Sequence, residues 1–241
     1  MLELRNISFK TDERDILKGI NLIFELGKSY IVTGQPNSGK SLLMKILGGI
    51  TKPTEGRVIC NNVNLYTTGS TDTIRRHIGF IFSEGVMLAN LSICENLFLP
   101  VKYLNPKHNK EEITAKIIDL FEVFHLPTSI LCRRPADVSN TDKKLINIIR
   151  AILIEPEIFL IDMPLFNLDY GAQKRVINFL MNMKRSDKTM IITTTHRRII
   201  NSVADQVLLL VDGTIVATSA GKTFFTSANP IIRSFIENHF E

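Results

Sequence analysis

Long hydrophobic runs are missing from this 241-residue chain. Crossing a bilayer takes ~20 consecutive apolar residues, and no stretch reaches that length. The first residues, Met1-Leu2-Glu3-Leu4-Arg5, lack the basic start and apolar block of a secretion signal. Cysteine is scarce as well. Cys60, Cys94 and Cys132 are odd in number, far apart and without metal-ligand spacing. Their pattern argues against a disulfide framework or a structural zinc site and predicts three reduced thiols in a cytosolic protein. Charge of one sign is not concentrated anywhere. A net charge of +5 is met by scattered, solvated lysines, so no nucleic-acid partner is expected. Repeats and low-complexity linkers are absent. With 44% hydrophobic residues and a mean hydropathy of +0.11, the chain has ample core for one large domain or two small ones.

What is present centres on Gly34-Gln35-Pro36-Asn37-Ser38-Gly39-Lys40-Ser41. It fits G-x-x-x-x-G-K-[ST], in which glycines let backbone N–H groups point at a polyphosphate. In that pattern Lys40 reaches the β- and γ-phosphates and the Ser41 hydroxyl holds Mg²⁺. The flanks are right. Ser29-Tyr30-Ile31-Val32-Thr33 reads as a buried strand, and Leu42, Leu43, Met44, Ile46 and Leu47 have the spacing of an apolar helix face. A helix N-terminus after a glycine loop presents free N–H groups and the positive end of a dipole. Gly34 through Leu42 are therefore the candidate nucleotide-binding residues.

The remaining pattern predicts an α/β protein. Strands are expected over residues 2–9, where apolar and polar residues alternate as in an edge or half-buried strand, and from Leu17 to Leu26. Others fall at Arg57–Cys60, Ile78–Phe82, Ile158–Ile161 and Met190–Thr194. A last pair flanks the turn Asp212-Gly213. From Val86 to about Leu153 the reading changes to helices. Ser92 is a cap before Ile93, Glu111 to Phe124 is amphipathic, and a further helix begins after Ser139. Near-continuous apolar strands alternating with helices predict a largely parallel sheet covered on both faces, with the helical block inserted into it.

Pro156 to Ile161 is an apolar strand ending in the carboxylate Asp162, the place of a second magnesium-holding group in P-loop proteins. His196 ends a later strand, within reach of a γ-phosphate in such a site. The order of elements resembles the ATPase subunit of ABC transporters over nearly the whole chain. Asn167-Leu168-Asp169 resembles that family's D-loop, and Thr193-Thr194-Thr195-His196 its switch-histidine segment. Val138-Ser139-Asn140-Thr141-Asp142 sits where the family carries L-S-G-G-Q. The resemblance implies a P-loop NTPase fold: a RecA-like core with an N-terminal antiparallel β region and an inserted helical subdomain. It implies one domain over residues 1–241, with residues 1–85 and 154–241 as nucleotide-binding core and 86–153 as helical subdomain. It also implies ATP and Mg²⁺ as cofactors, a second ATPase subunit across the nucleotide, an integral-membrane permease, and a peripheral position on the cytoplasmic face of the inner membrane. In such a pair each ATP lies between one chain's P-loop and the other's signature, which makes Ser139 a candidate contact. Phe82 to Leu88, Leu91 to Leu97, Pro100 and the tail from Ala228 to Ile236 resemble more narrowly the ATPases of Mla/Mce-type phospholipid transporters. That likeness implies a lipid cargo and an Mce-type substrate-binding partner; lipoprotein-release and cell-division ATPases share parts of it.

Several positions depart from the family pattern. Met163 follows Asp162 where a glutamate normally polarises water, and a thioether neither takes a proton nor orients water. General-base help is worth ~10²–10⁴ in rate. Ser83 replaces the glutamine of the Q-loop. Asn140 and Thr141 stand for two glycines, whose lack of side chains allows close approach to phosphate, and Asp142 adds negative charge. Thr11 stands near the place of the aromatic that stacks on adenine. Ser139-x-x-Asp142 also reads simply as a helix cap, and Glu84 as a solvated loop acid rather than a replacement base. Nucleotide binding is expected to outlast hydrolysis. Two roles fit: a transporter subunit with attenuated hydrolysis, or a nucleotide-gated clamp that does not transport. Val86, Met87, Leu88 and Leu91 suit either a permease-receiving groove or ordinary core.

Overall fold

The period-two alternation at the start of the chain buries Leu2, Leu4 and Ile7 on one side of β1 (Leu2–Lys10). In the computed structural model, which describes residues 1–67 and 76–240, that strand is not at an edge. β2 (Asp15–Phe24) and β4 (Glu55–Cys60) pair with it on its two sides, and β5 (Val63–Asn64) extends the sheet beyond β4. The antiparallel order is β2-β1-β4-β5. Asn6, with φ 51°, sits where the register breaks between Leu4 and Ile7, an irregularity that increases local twist.

The near-continuous apolar runs make the second sheet, ordered β10-β9-β3-β8-β7-β6. Its strands are β3 (Ser29–Thr33), β6 (Ile78–Ile81), β7 (Ile158–Asp162), β8 (Thr189–Thr193), β9 (Gln206–Val211) and β10 (Thr214–Ala220). Five are parallel, and only β10 runs against its neighbour. Asp212 and Gly213 both have positive φ, 45° and 81°, as a tight two-residue hairpin requires.

Alternation along these strands divides the core. Tyr30, Val32, Ile158, Leu160 and Ile191 face one side with α1 (Lys40–Leu47) and the smaller sheet. Ile31, Phe159, Ile161, Met190 and Ile192 face the other. That second face is covered by α2 (Ile93–Leu104), α3 (Lys110–Val123), α4 (Asn140–Ile152), α5 (Tyr170–Met183), α6 (Arg197–Val203) and α7 (Pro230–His239). Burial of each Leu, Ile or Phe contributes about 1.5–3 kcal/mol.

The caps lie where the sequence places them. Ser92 and Glu95 form a reciprocal capping box on α2, and Ser139 caps α4. Buried Asn96 clamps the segment ahead of α2: it accepts from the Leu88 N–H at 2.8 Å and donates to the carbonyls of Leu88, Leu91 and Ser92. Val86 and Leu88 remain exposed, while Met87 packs against the core. The three cysteines are free thiols, with Cys60 buried, Cys94 half-buried and Cys132 exposed. No helix among the described residues is long and apolar enough to cross a membrane.

Candidate nucleotide site

β3, β8 and β7 are neighbours in register, with Val32 beside Thr193 and Thr193 beside Asp162. Their carboxyl ends therefore bring the glycine loop, Asp162 and the segment leading to His196 to one edge of the sheet. The loop is tightly held. A side chain at Gly34 (φ 154°) would collide with the Leu210 carbonyl, and one at Gly39 (φ 100°) would come within 2.7 Å of the Leu17 side chain. Asn37 also takes a positive φ, 62°. α1 starts at Lys40 with no side-chain cap and no acid in its first turn, which leaves its first N–H groups open to an anion.

Lys40 is buried and turned inward. Its Nζ donates to the carbonyls of Gly34 (2.9 Å) and Gln35 (2.5 Å) and to Ser38 Oγ (3.2 Å). Burial lowers its proton affinity, and the Asp162 carboxylate opposes that shift. Reaching a phosphate would exchange these acceptors for phosphate oxygens. Ser41 Oγ donates to Asp162 Oδ1 at 3.1 Å, and Thr193 Oγ1 donates to the same oxygen at 2.6 Å. The Thr193 hydroxyl in turn accepts from the Met163 N–H at 2.9 Å. Sequence reasoning missed this use of Thr193, because a threonine in a β-branched run reads as strand filler.

A hydroxyl and a carboxylate this close suit a hard divalent cation that keeps water and phosphate oxygens as its other ligands. Among the described residues no group of three or more His, Cys, Asp or Glu side chains forms a cage. A cation here would depend on the phosphates it accompanies.

His196 precedes α6, its backbone N–H donating to Thr194 Oγ1 at 3.0 Å. Its buried Nδ1 has no hydrogen-bond partner among the described residues. Burial, and after it the Arg198 charge, lower its proton affinity, which favours the neutral ring. Ser139 begins a helix on the sheet face opposite α1, and none of its side-chain bonds reaches the glycine loop. Its hydroxyl accepts from the Asp142 N–H at 3.1 Å and donates to Asp142 Oδ2 at 2.8 Å. The cap reading is thus what the single chain uses, and the carboxylate takes the proton a phosphate contact would need.

Two of the departures, Ser83 and Asn140, share one cavity. Ser83, Glu84 and Gly85 line a cavity of about 500 Å³ with Asn140, Lys143, Lys144, Phe166 and Asn167. Gly85 lies against α4, where an added Cβ would come within 2.9 Å of the Lys143 carbonyl group. Thr11 Oγ1 donates to the Arg14 carbonyl at 3.1 Å and closes the β1–β2 turn, where no aromatic ring stands.

A glycine loop at a helix head, backed by an Asp-tipped parallel strand, defines a P-loop fold. The family model described as ABC transporter matches residues 17–165, and the chain belongs to that family as an ATP-binding subunit. It is 29% identical over 206 residues to the lipoprotein-releasing system ATP-binding protein LolD 1 of Rhodopirellula baltica, covering 83% of this chain and 88% of that one. It is equally identical, 29% over 248 residues, to the methionine import ATP-binding protein MetN 1 of Paraburkholderia xenovorans, covering 100% of this chain and 68% of that protein. Among solved structures, an ATP-binding cassette dimer in a post-hydrolysis state with ADP and Pi superposes with a TM-score of 0.82 at 25% identity. That match covers 91% of this chain and 98% of the other.

Proposed function

We propose that the chain binds a magnesium nucleoside triphosphate, ATP first among them, and hydrolyses it slowly or not at all. Gly34 to Leu42 would cradle the phosphates, with Ser41 and Asp162 holding the ion and His196 facing the γ-phosphate. When bound, the ion would supply charge neutralisation to the β- and γ-phosphate oxygens. Lys40 would orient the chain of phosphates, and Thr193 would fix the Asp162 carboxylate. The observation that carries the reading is the Ser41–Asp162–Thr193 cluster: the holding groups are joined, while the residue directly after Asp162 is Met163 and not a carboxylate.

In this reading the chain sits on the cytoplasmic side of a membrane, paired with a second ATPase subunit and docked on a permease. Residues 86–153 act as the helical subdomain of a single domain. Exposed Val86 and Leu88 favour the groove reading of that segment over the core reading. A lipid or lipoprotein cargo, with an Mce-type partner, is the narrower proposal. It rests on the motif likeness around Phe82 to Pro100 and on the lipoprotein-releasing relatives; the methionine-import relatives set the alternative cargo. A non-transporting clamp is the second reading, favoured by the bond between Ser139 and Asp142. Co-purification separates them, since a permease should accompany a transporter subunit.

The direct test is Mg-ATP affinity measured beside phosphate release on purified protein. Retained nucleotide with near-background turnover is expected, and Lys40→Ala should abolish retention. Rapid metal-dependent turnover by the unmodified chain would refute the attenuated-hydrolysis part, and absence of any binding would refute the whole.

A further inference from the structure

Lys144 is a lysine only 3% exposed, on the side of α4 that also buries Leu145 and Ile148. Its Nζ donates to the Met163 carbonyl at 3.0 Å and to the Phe166 carbonyl at 2.5 Å. It also lies 5.7 Å from the centre of the Phe166 ring. Both carbonyls belong to one tight turn after β7. The Phe166 N–H donates to the Met163 carbonyl at 3.1 Å, and the turn is bracketed by two non-glycine residues in the left-handed region, Met163 (φ 45°) and Asn167 (φ 55°). Such residues are strained and persist only where their surroundings hold them.

Desolvating an ammonium costs several kcal/mol, and an apolar side chain often replaces a buried charge without loss. Packing alone therefore gives no reason for a lysine here. What the ammonium adds is a second donor to the Met163 carbonyl, beside the Phe166 N–H, and a donor to the Phe166 carbonyl. The turn starts at Asp162 and ends in Asn167–Asp169, while the helix that delivers the donor starts at Ser139. The close approach of Gly85 to the Lys143 backbone holds the same helix from the β6 side.

We infer that Lys144 is a positioning residue that ties the turn beside Asp162 to the helix carrying Ser139–Asp142, so that nucleotide at the loop is felt at that helix start. The inference rests on the nucleotide-binding reading above. The charged groups that act on Lys144 are Asp162 on β7 and Glu84 in the loop after β6; Lys143 is its neighbour on α4.

The experiment pairs equilibrium binding of a fluorescent ATP analogue, with Mg²⁺, and hydrogen exchange over residues 139–143 and 163–169, with and without nucleotide. Wild type, Lys144→Met, Lys144→Arg and Lys40→Ala are compared. Lys144→Met should weaken affinity about 10-fold, the scale for groups that orient a metal ligand, and lose the nucleotide-dependent protection at 139–143. Lys144→Arg should restore both, which a side chain that only filled space would not do. Wild-type affinity and protection in Lys144→Met would overturn the inference. Should that variant not fold, nucleotide-saturated wild type showing no change in exchange at 139–143 would overturn it equally. Failure of wild type to bind nucleotide at all, matching Lys40→Ala, would instead bring down the parent reading and this inference with it.

Discussion

Replacing Lys144 by methionine should change how stability depends on pH. Burial lowers the Lys144 pKa from 10.5 to about 8, although Asp162 and Glu84 favour the charged form. Between those values the unfolded chain holds a proton at this site that the folded chain has released. Stability therefore rises with pH across that window, because the unfolded state binds more protons. One pKa unit corresponds to about 1.4 kcal/mol, so wild type should gain roughly 2–3 kcal/mol relative to Lys144→Met between pH 7 and pH 10. Urea unfolding followed by far-ultraviolet circular dichroism suits a chain that has no tryptophan. Cys60 and Tyr30 work in the opposite direction. Burial raises both their pKa values, so their contribution falls as the medium becomes alkaline, and it cancels when the variant is subtracted. Lys144→Arg, which does not titrate here, should show the flat profile of the methionine variant. A wild-type-minus-variant difference that stays constant with pH would mean the amine keeps ordinary proton affinity. The tight burial against two carbonyls would then be wrong.

Three further outcomes follow from the site. Met163→Glu should raise ATP turnover by about 10–100-fold, at or below the lower end of general-base assistance because Ser83 and Asn140 are unchanged; unaltered phosphate release would count against the missing-carboxylate account. Thr193→Val removes a hydroxyl from both Asp162 and the Met163 N–H, and should weaken the Mg²⁺ dependence of nucleotide binding by about 10-fold, read by titrating metal at fixed nucleotide. Ser139→Ala should cost about 1 kcal/mol through loss of the helix cap, a drop in Tm of about 2–4 °C for a chain of this size; an unchanged melting curve would show that the cap bonds contribute nothing.

How far the sequence reaches is clearest where two neighbours read alike. Lys143 and Lys144 are adjacent and both look like solvated lysines. On a helix, successive residues point 100° apart, and that rotation places Lys144 under the turn at Met163 while Lys143 stays half-buried. Nothing in a single chain of letters says which side of α4 meets that turn. The glycine loop, by contrast, was legible because its whole chemistry is local: eight consecutive residues, a strand before and a helix after. Asp162 was legible for the same reason, as the polar end of an apolar run. Thr193 was not, since its hydroxyl gains meaning only from the register that sets it beside Asp162. The antiparallel sheet was legible as strands, yet the interior position of β1 depends on the distant β4 (Glu55–Cys60) returning to it, and the two-residue β5 is too short to leave a pattern. Local chemistry writes itself into sequence, and contacts between distant segments do so only when one of them is unusual. The buried amine of Lys144 is ordinary in the sequence and unusual only in place, which is why its contact with the turn after β7 leaves no mark in the sequence.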